Sequence, residues 1–131
     1  MQKLILSCLA VVLLTLVAIL IRNETRKMAM PSRIWSVYTK VANLPASQLQ
    51  AVIGEVGPDW RELTQAEYRS LILPTNSSDQ KLLLDFWGRP YHLSVRKRDS
   101  RLYFTLRCLG PDGKSNTADD FVIEAGKLHR P

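Results

Sequence analysis

The sequence has few of the residues that enzymes and cross-linked domains depend on: its 131 residues include only two cysteines and two histidines. Cys8 falls inside an apolar run and Cys108 lies near the other end of the chain, so a disulfide framework is excluded. His92 is on the predicted outward face of a strand, and His129 is close to the C-terminus. No HExxH, CxxC or glycine-rich phosphate loop occurs. We therefore expect that the protein is not an enzyme.

Charge is also missing from one long segment, residues 4–21, which reads LILSCLAVVLLTLVAILI. At about 1.5 Å per helical residue, this run spans roughly 27 Å, close to the thickness of the hydrocarbon core of a bilayer. A cleaved secretory signal is the alternative, although no small-x-small cleavage site follows Ile21 closely. We predict an uncleaved transmembrane anchor with its linker over residues 1–31, and a soluble domain over residues 32–131.

The chain is basic, with 18 Lys and Arg against 12 Asp and Glu and a formal net charge of +6. Most of these positive charges are scattered, and the one dense group is Arg96, Lys97, Arg98 and Arg101. This pattern favours the solvated tip of a hairpin over a surface that binds phosphates, so we do not expect a nucleic acid partner. Binding of another anionic partner by this tip remains an alternative.

Three apolar stripes at helical spacing follow the anchor. Pro31 predicts a break, after which a helix restarts with Ser32 as its cap and buries one face. A second short helix follows Pro45, and a third begins at Thr64 with a capping-box pattern, with Leu63 and Tyr68 placed as a hydrophobic staple. The apolar positions of the three stripes are Ile34, Val37, Tyr38 and Val41, then Leu49, Val52, Ile53 and Val56, then Leu63 and Tyr68.

Beyond a polar loop at residues 74–79, the apolar period changes from helical to two, which is typical of strands. Two alternating segments lie on either side of Arg98-Asp99-Ser100 and predict an antiparallel hairpin. Phe121-Val122-Ile123 predicts a last strand. The fold class is therefore α+β: an N-terminal transmembrane helix, short helices, and then a small antiparallel sheet.

The loop between the last two predicted strands concentrates three carboxylates, Asp112, Asp119 and Asp120, in an otherwise basic chain. Glycine and proline curl this segment, so that its oxygens can face a common centre. Hard oxygen ligands in a flexible loop suit Ca²⁺ better than Mg²⁺, although the spacing is not that of an EF-hand. A solvated turn with Asx hydrogen bonds is the alternative. The candidate ligands of the calcium site are Leu109 (through its carbonyl), Asp112, Ser115, Asn116, Asp119 and Asp120.

Two motifs resemble those of a known family. Asp85 to Tyr91, DFWGRPY, looks like the D-x-W-G-x-P-Y element of the major, G-type pseudopilin of type II secretion systems. Leu109 to Gly113, LGPDG, followed by TADDF at 117–121, is similar to the calcium loop of that family. The family's N-terminal Gly-Phe cleavage site and its intramembrane Glu have no counterpart near Met1, so we expect that prepilin peptidase leaves the chain whole.

The resemblance implies a pseudopilin-like structural subunit of a secretion or pilus-like assembly, with other pseudopilin or secretion-system subunits as partners. It also implies a single-pass protein of the bacterial inner membrane, held through residues 4–21, with its soluble domain in the periplasm. The flanking charges oppose this orientation, because Arg22, Arg26 and Lys27 would favour a cytoplasmic domain. We expect the orientation that the resemblance implies, with the N-terminus inside.

Overall fold

The structure is a computed structural model that describes residues 2–73, 82–124 and 126–129. The predicted polar loop at 74–79 lies outside the described residues. The elements follow in the order α1 (Gln2–Ala42), α2 (Ala46–Ile53), β1 (Arg61–Glu62), α3 (Gln65–Ile72), β2 (His92–Arg98), β3 (Arg101–Cys108), β4 (Phe121–Glu124) and β5 (Lys127–His129). This order confirms the predicted α+β class. The two-residue strand β1, which lies between α2 and α3, departs from the predicted order of helices first and strands after them.

The helix α1 runs without interruption through Pro31, so the predicted restart at Ser32 is wrong. A proline removes one backbone donor from a helix, but tertiary packing compensates for that loss here. Four side chains at helical spacing on both sides of Pro31 are completely buried: Met30, Ile34, Val37 and Val41. The face that these residues form holds the helix against the sheet on both sides of the proline.

The N-terminal part of α1 is exposed where it is most apolar. Leu9, Leu14 and Leu20 each expose about two thirds of their surface, at 66%, 69% and 64%. The segment Ser7–Ala42 is long and apolar enough to cross a membrane, and none of its most apolar stretch is buried by the residues that the structure describes. This exposure makes the helix a candidate single-pass anchor, because an apolar surface of this length is unfavourable in water.

The two short helices confirm their predicted start signals. Thr64 caps α3: its hydroxyl accepts the Glu67 amide at 3.2 Å, and the Glu67 carboxylate accepts the Thr64 amide at 2.8 Å. This amide lowers the pKa of Glu67, and Arg61, whose guanidinium lies 3.0 Å away, lowers it further. Leu63 and Tyr68, the predicted hydrophobic staple, are both buried.

Within the described residues the sheet has five strands in the order β1-β2-β3-β4-β5, and every neighbouring pair is antiparallel. The predicted hairpin joins β2 to β3, with Arg98 opposite Arg101. Asp99 and Ser100 form the turn with φ angles of 49° and 62°, the left-handed conformation that a two-residue hairpin turn requires. The sequence pattern did not reveal β1 and β5, which have only two and three residues.

The core lies between the inner face of this sheet and the helices. Alternate side chains of β2 and β3 point inward and are buried, namely Leu93, Val95, Phe104, Leu106 and Cys108. They pack in one cluster with the buried face of α1 and with residues of α2 and α3. The loop from β3 to β4 is therefore attached to two strands that are well fixed in this core.

Candidate metal site

The loop with the three carboxylates connects β3 to β4, and its ends are held together by the sheet. Cys108, the last residue of β3, is paired with Phe121, the first residue of β4. Gly110 has a φ of 60°, and a Cβ at this position would collide with the backbone carbonyl of Asp119. The two arms of the loop therefore touch near their base, and this close approach requires glycine.

The structure brings the three predicted carboxylates together. Each of Asp112, Asp119 and Asp120 offers one oxygen, and these oxygens lie within 4.8 Å of one another. Asp112 is exposed, Asp119 is half-buried and Asp120 is completely buried. Three such oxygens form one side of a site that could hold a divalent cation.

Backbone amides and one hydroxyl orient these carboxylates. The Lys114 amide donates to Asp112 and the Asn116 amide donates to Asp120, both at 2.8 Å. The Thr117 hydroxyl donates to Asp119 at 2.6 Å and lies within 3.4 Å of an oxygen of each of the other two. Thr117 was not among the predicted ligands, although its place two residues before Asp119 was visible in the TADDF motif.

The surroundings of Asp119 favour the ionised form of its carboxylate. Burial raises the pKa of Asp119, but the Thr117 hydroxyl and the amides of Asp112 and Asp119 outweigh this effect, so the pKa is below its ordinary value. The ammonium group of Lys27, in α1, also lowers this pKa. Asp120 has no solvent to stabilise its charge, and buried carboxylates are normally paired or bound to a metal.

Two of the predicted ligands point elsewhere. One guanidinium nitrogen of Arg107 donates to the Ser115 hydroxyl at 2.7 Å and to the Asn116 side-chain carbonyl at 3.1 Å. These two oxygens therefore face Arg107, on β3. Leu109 lies at the start of the loop and is half-buried. The three carboxylates are thus the part of the predicted site that the structure gathers in one place, and Thr117, which was not predicted, lies among them.

The DFWGRPY segment forms a turn against the end of β3. One oxygen of Asp85 accepts the amides of Trp87 and Arg89, at 2.8 and 2.9 Å. Its other oxygen accepts the Cys108 thiol at 3.2 Å. Asp85 is only 4% exposed, and burial raises the pKa of Cys108 to about 12, so this thiol stays protonated as the donor. The first motif therefore contacts Cys108, the residue directly before the second motif.

His92 and Cys108, the histidine and the cysteine that could form a catalytic pair, lie on opposite faces of the sheet. His92 pairs with Glu62 at 2.5 Å, and it is opposite Arg107 in the sheet. Cys108 follows Arg107 and therefore points to the other face, where it is buried. The two side chains cannot act as a nucleophile and its base.

The basic hairpin tip lies at the opposite end of β2 and β3 from the carboxylates. The guanidinium of Arg96 stacks over Trp60, 4.4 Å from its ring centre, and Arg98 is 3.7 Å from Asp99. The cations at this tip are thus partly engaged within the chain.

Comparison with known proteins gave no match: no family model, no curated protein and no solved structure is significantly similar to the chain.

Proposed function

We propose that the protein is a membrane-anchored, pseudopilin-like structural subunit of a type II secretion or other pilus-like assembly, with a C-terminal domain that calcium stabilises. The observation that carries this proposal is the convergence of Asp112, Asp119 and Asp120 within 4.8 Å. The DFWGRPY turn, the other motif that resembles the pseudopilin family, packs directly against the strand that leads into this loop.

Calcium is the cation that fits these groups best. The ligands are hard carboxylate oxygens, and they belong to an irregular loop that can supply further carbonyl oxygens or leave room for water. Mg²⁺ requires a strict octahedron at shorter distances, which such a loop satisfies less readily. A bound Ca²⁺ would neutralise the mutual repulsion of the carboxylates and the buried charge of Asp120.

A structural role is supported by the shape of the chain. The 41-residue helix α1 carries an exposed apolar surface in its N-terminal part and core residues in its C-terminal part. The membrane segment and the domain therefore share one helix. The separation of His92 from Cys108 supports a role without catalysis.

We propose that the domain lies outside the cytoplasm, in the periplasm, with the helix anchored in the inner membrane. A Glu55→Cys variant tests this orientation, because Glu55 is exposed in the segment between α2 and β1. A membrane-impermeant maleimide should label this variant in intact spheroplasts. The unmodified chain is the control, since Cys108 is buried and Cys8 lies in the apolar segment. Labelling that occurs only after lysis would place the domain in the cytoplasm, as the flanking charges favour.

Association with membrane secretion proteins tests the proposed function itself. The full chain, tagged at its C-terminus and extracted in mild detergent, should co-purify with other inner-membrane subunits of a secretion or pilus-like machine. An Arg98→Gln variant should behave identically, because the hairpin tip has no part in this proposal. Salt-sensitive retention on anionic vesicles that disappears in this variant, without those subunits, would instead favour a free-standing module that binds an anionic partner.

A further inference from the structure

The side chain of Arg89 extends from the DFWGRPY turn into the carboxylate loop. Its two terminal nitrogens donate to two consecutive carbonyls: one to Gly110 and the other to Pro111, at 2.9 Å. This is a charge-assisted, two-point contact, the kind for which the planar guanidinium is suited and a lysine ammonium is not. Arg89 therefore joins the two motifs directly, and the bond between Asp85 and Cys108 adds a contact one residue before the second motif.

The loop is shaped around this guanidinium. Gly113 has a φ of 67°, and a Cβ at this position would lie 2.7 Å from the central carbon of the Arg89 guanidinium. Any larger residue would displace the guanidinium or the loop. The arm of the loop from 110 to 113 thus passes close around the Arg89 side chain, and that arm carries Asp112.

The turn also fixes the backbone from which this side chain extends. The Arg89 amide donates to the buried Asp85 carboxylate at 2.9 Å, and the Arg89 carbonyl accepts the Asp85 amide at 2.8 Å. The side chain therefore starts from a backbone position held on both sides. The backbone of Arg89 therefore has little freedom to lose when the guanidinium contacts the loop, and only the freedom of the side chain is lost.

We propose that Arg89 is a positioning residue, whose two bonds to the carbonyls of Gly110 and Pro111 hold Asp112 beside Asp119 and Asp120 before any cation binds. The inference rests on the proposed function for the identity of the cation. The contact also directs two carbonyl dipoles to a fixed positive charge. In a loop without Arg89, these two carbonyls lose their partner, and the arm that carries Asp112 can move away from the other carboxylates.

Hydrogen exchange of the full chain in detergent micelles tests this inference, with chelator present so that no cation contributes. The amides of Asp112, Lys114 and Asn116 report on the loop, because each donates to one of the three carboxylates. In an Arg89→Gln variant they should exchange about tenfold faster or more, whereas amides of β2 and β3 keep their rates. Arg98→Gln is the matched control, since it removes the same charge from the exposed hairpin tip.

Calcium titration of the same variants gives the second readout. Arg89→Gln should weaken calcium binding by about tenfold, because the cation must then order the loop as well. Arg89→Lys, which keeps the charge but cannot bridge both carbonyls, should fall between Arg89→Gln and the unchanged chain in both readouts.

The inference is overturned if Arg89→Gln leaves the loop amides at their original rates, or if the amides of β2 and β3 accelerate by the same factor. The second result would show that Arg89 only contributes to global stability. Absence of calcium binding by the unchanged chain would contradict the calcium part of the proposed function. The exchange rates in chelator would then still decide the role of Arg89.

Discussion

Calcium at 100 times its dissociation constant should raise the melting temperature of the full chain by about 10 °C. At that concentration, a ligand that binds only the folded state adds about 2.7 kcal/mol to the free energy of unfolding. A domain of roughly 100 residues gains about 4 °C or more per kcal/mol. The gain arises because a bound Ca²⁺ removes the repulsion between the carboxylates of Asp112, Asp119 and Asp120, whose oxygens lie within 4.8 Å of one another.

An Asp119→Asn variant should lose most of this shift, because it removes one of the three charges and keeps the size of the side chain. Its melting temperature in chelator should change much less, since the same substitution also relieves repulsion. Asp99→Asn is the control: Asp99 lies at the hairpin tip, its side chain is 83% exposed, and asparagine tolerates its positive φ. Differential scanning fluorimetry in micelles measures the melting temperatures of the unchanged chain and of both variants. Equal melting temperatures in chelator and in millimolar calcium would reduce the loop to a polar turn.

The rise in melting temperature on calcium binding should be lost in acid, and the pKa of Asp119 sets the pH range of that loss. Its pKa in the folded state is below the ordinary 3.8. A carboxylate with a depressed pKa stabilises the fold above its unfolded pKa, and this contribution is lost as the pH falls through the folded value. The calcium-dependent shift should therefore be complete at neutral pH, begin to decrease below about pH 4, and be lost as the pH falls through the folded pKa of Asp119.

Replacing Ile34 by alanine should lower the free energy of unfolding by about 2–5 kcal/mol, the usual range for truncating a buried isoleucine. Ile34 is completely buried, and it belongs to the face of α1 that packs on the sheet. The resulting cavity would lie where α1 packs on the sheet. On the scale given above, the melting temperature should fall by at least about 8 °C.

Ser36→Ala is the matched control for this variant, because Ser36 lies two positions further along α1 and is exposed. It should leave the melting temperature unchanged within about 2 °C. The pair tests whether the C-terminal part of α1 belongs to the core of the domain. If Ile34→Ala melted like the unchanged chain, the helix would not pack on the sheet as described.

Short-range signals in the sequence predicted most of the local structure. The capping box at Thr64 and the hairpin turn at Asp99 depend on neighbours within a few residues, so their patterns are complete in the sequence. The same holds for the alternation of β2 and β3. Strand β1 has only two residues, too few for any period to appear, and it forms because β2 offers Val95 and Ser94 as pairing partners.

Features that depend on distant contacts could not be predicted in the same way. Pro31 predicts a helix break locally, but the burial of Met30 and Ile34 on either side keeps α1 continuous. In the loop, the three carboxylates followed from composition alone. The contact of Ser115 and Asn116 with Arg107 could not be predicted from the sequence, because it depends on how the loop folds back over β3.

In a membrane-anchored chain, the continuity of α1 would couple the tilt of the anchor directly to the position of the domain. The 41 residues of α1 correspond to a rod about 60 Å long. Pro31 has no backbone donor for its hydrogen bond in the helix, but the buried side chains of Met30 and Ile34 on either side leave the helix little freedom to bend there. A tilt of about 20° in the membrane, an ordinary value for a single span, would therefore swing the far end of the rod sideways by roughly 20 Å. The position of the domain relative to the membrane would then depend on the thickness of the bilayer and on the helices that pack beside the anchor.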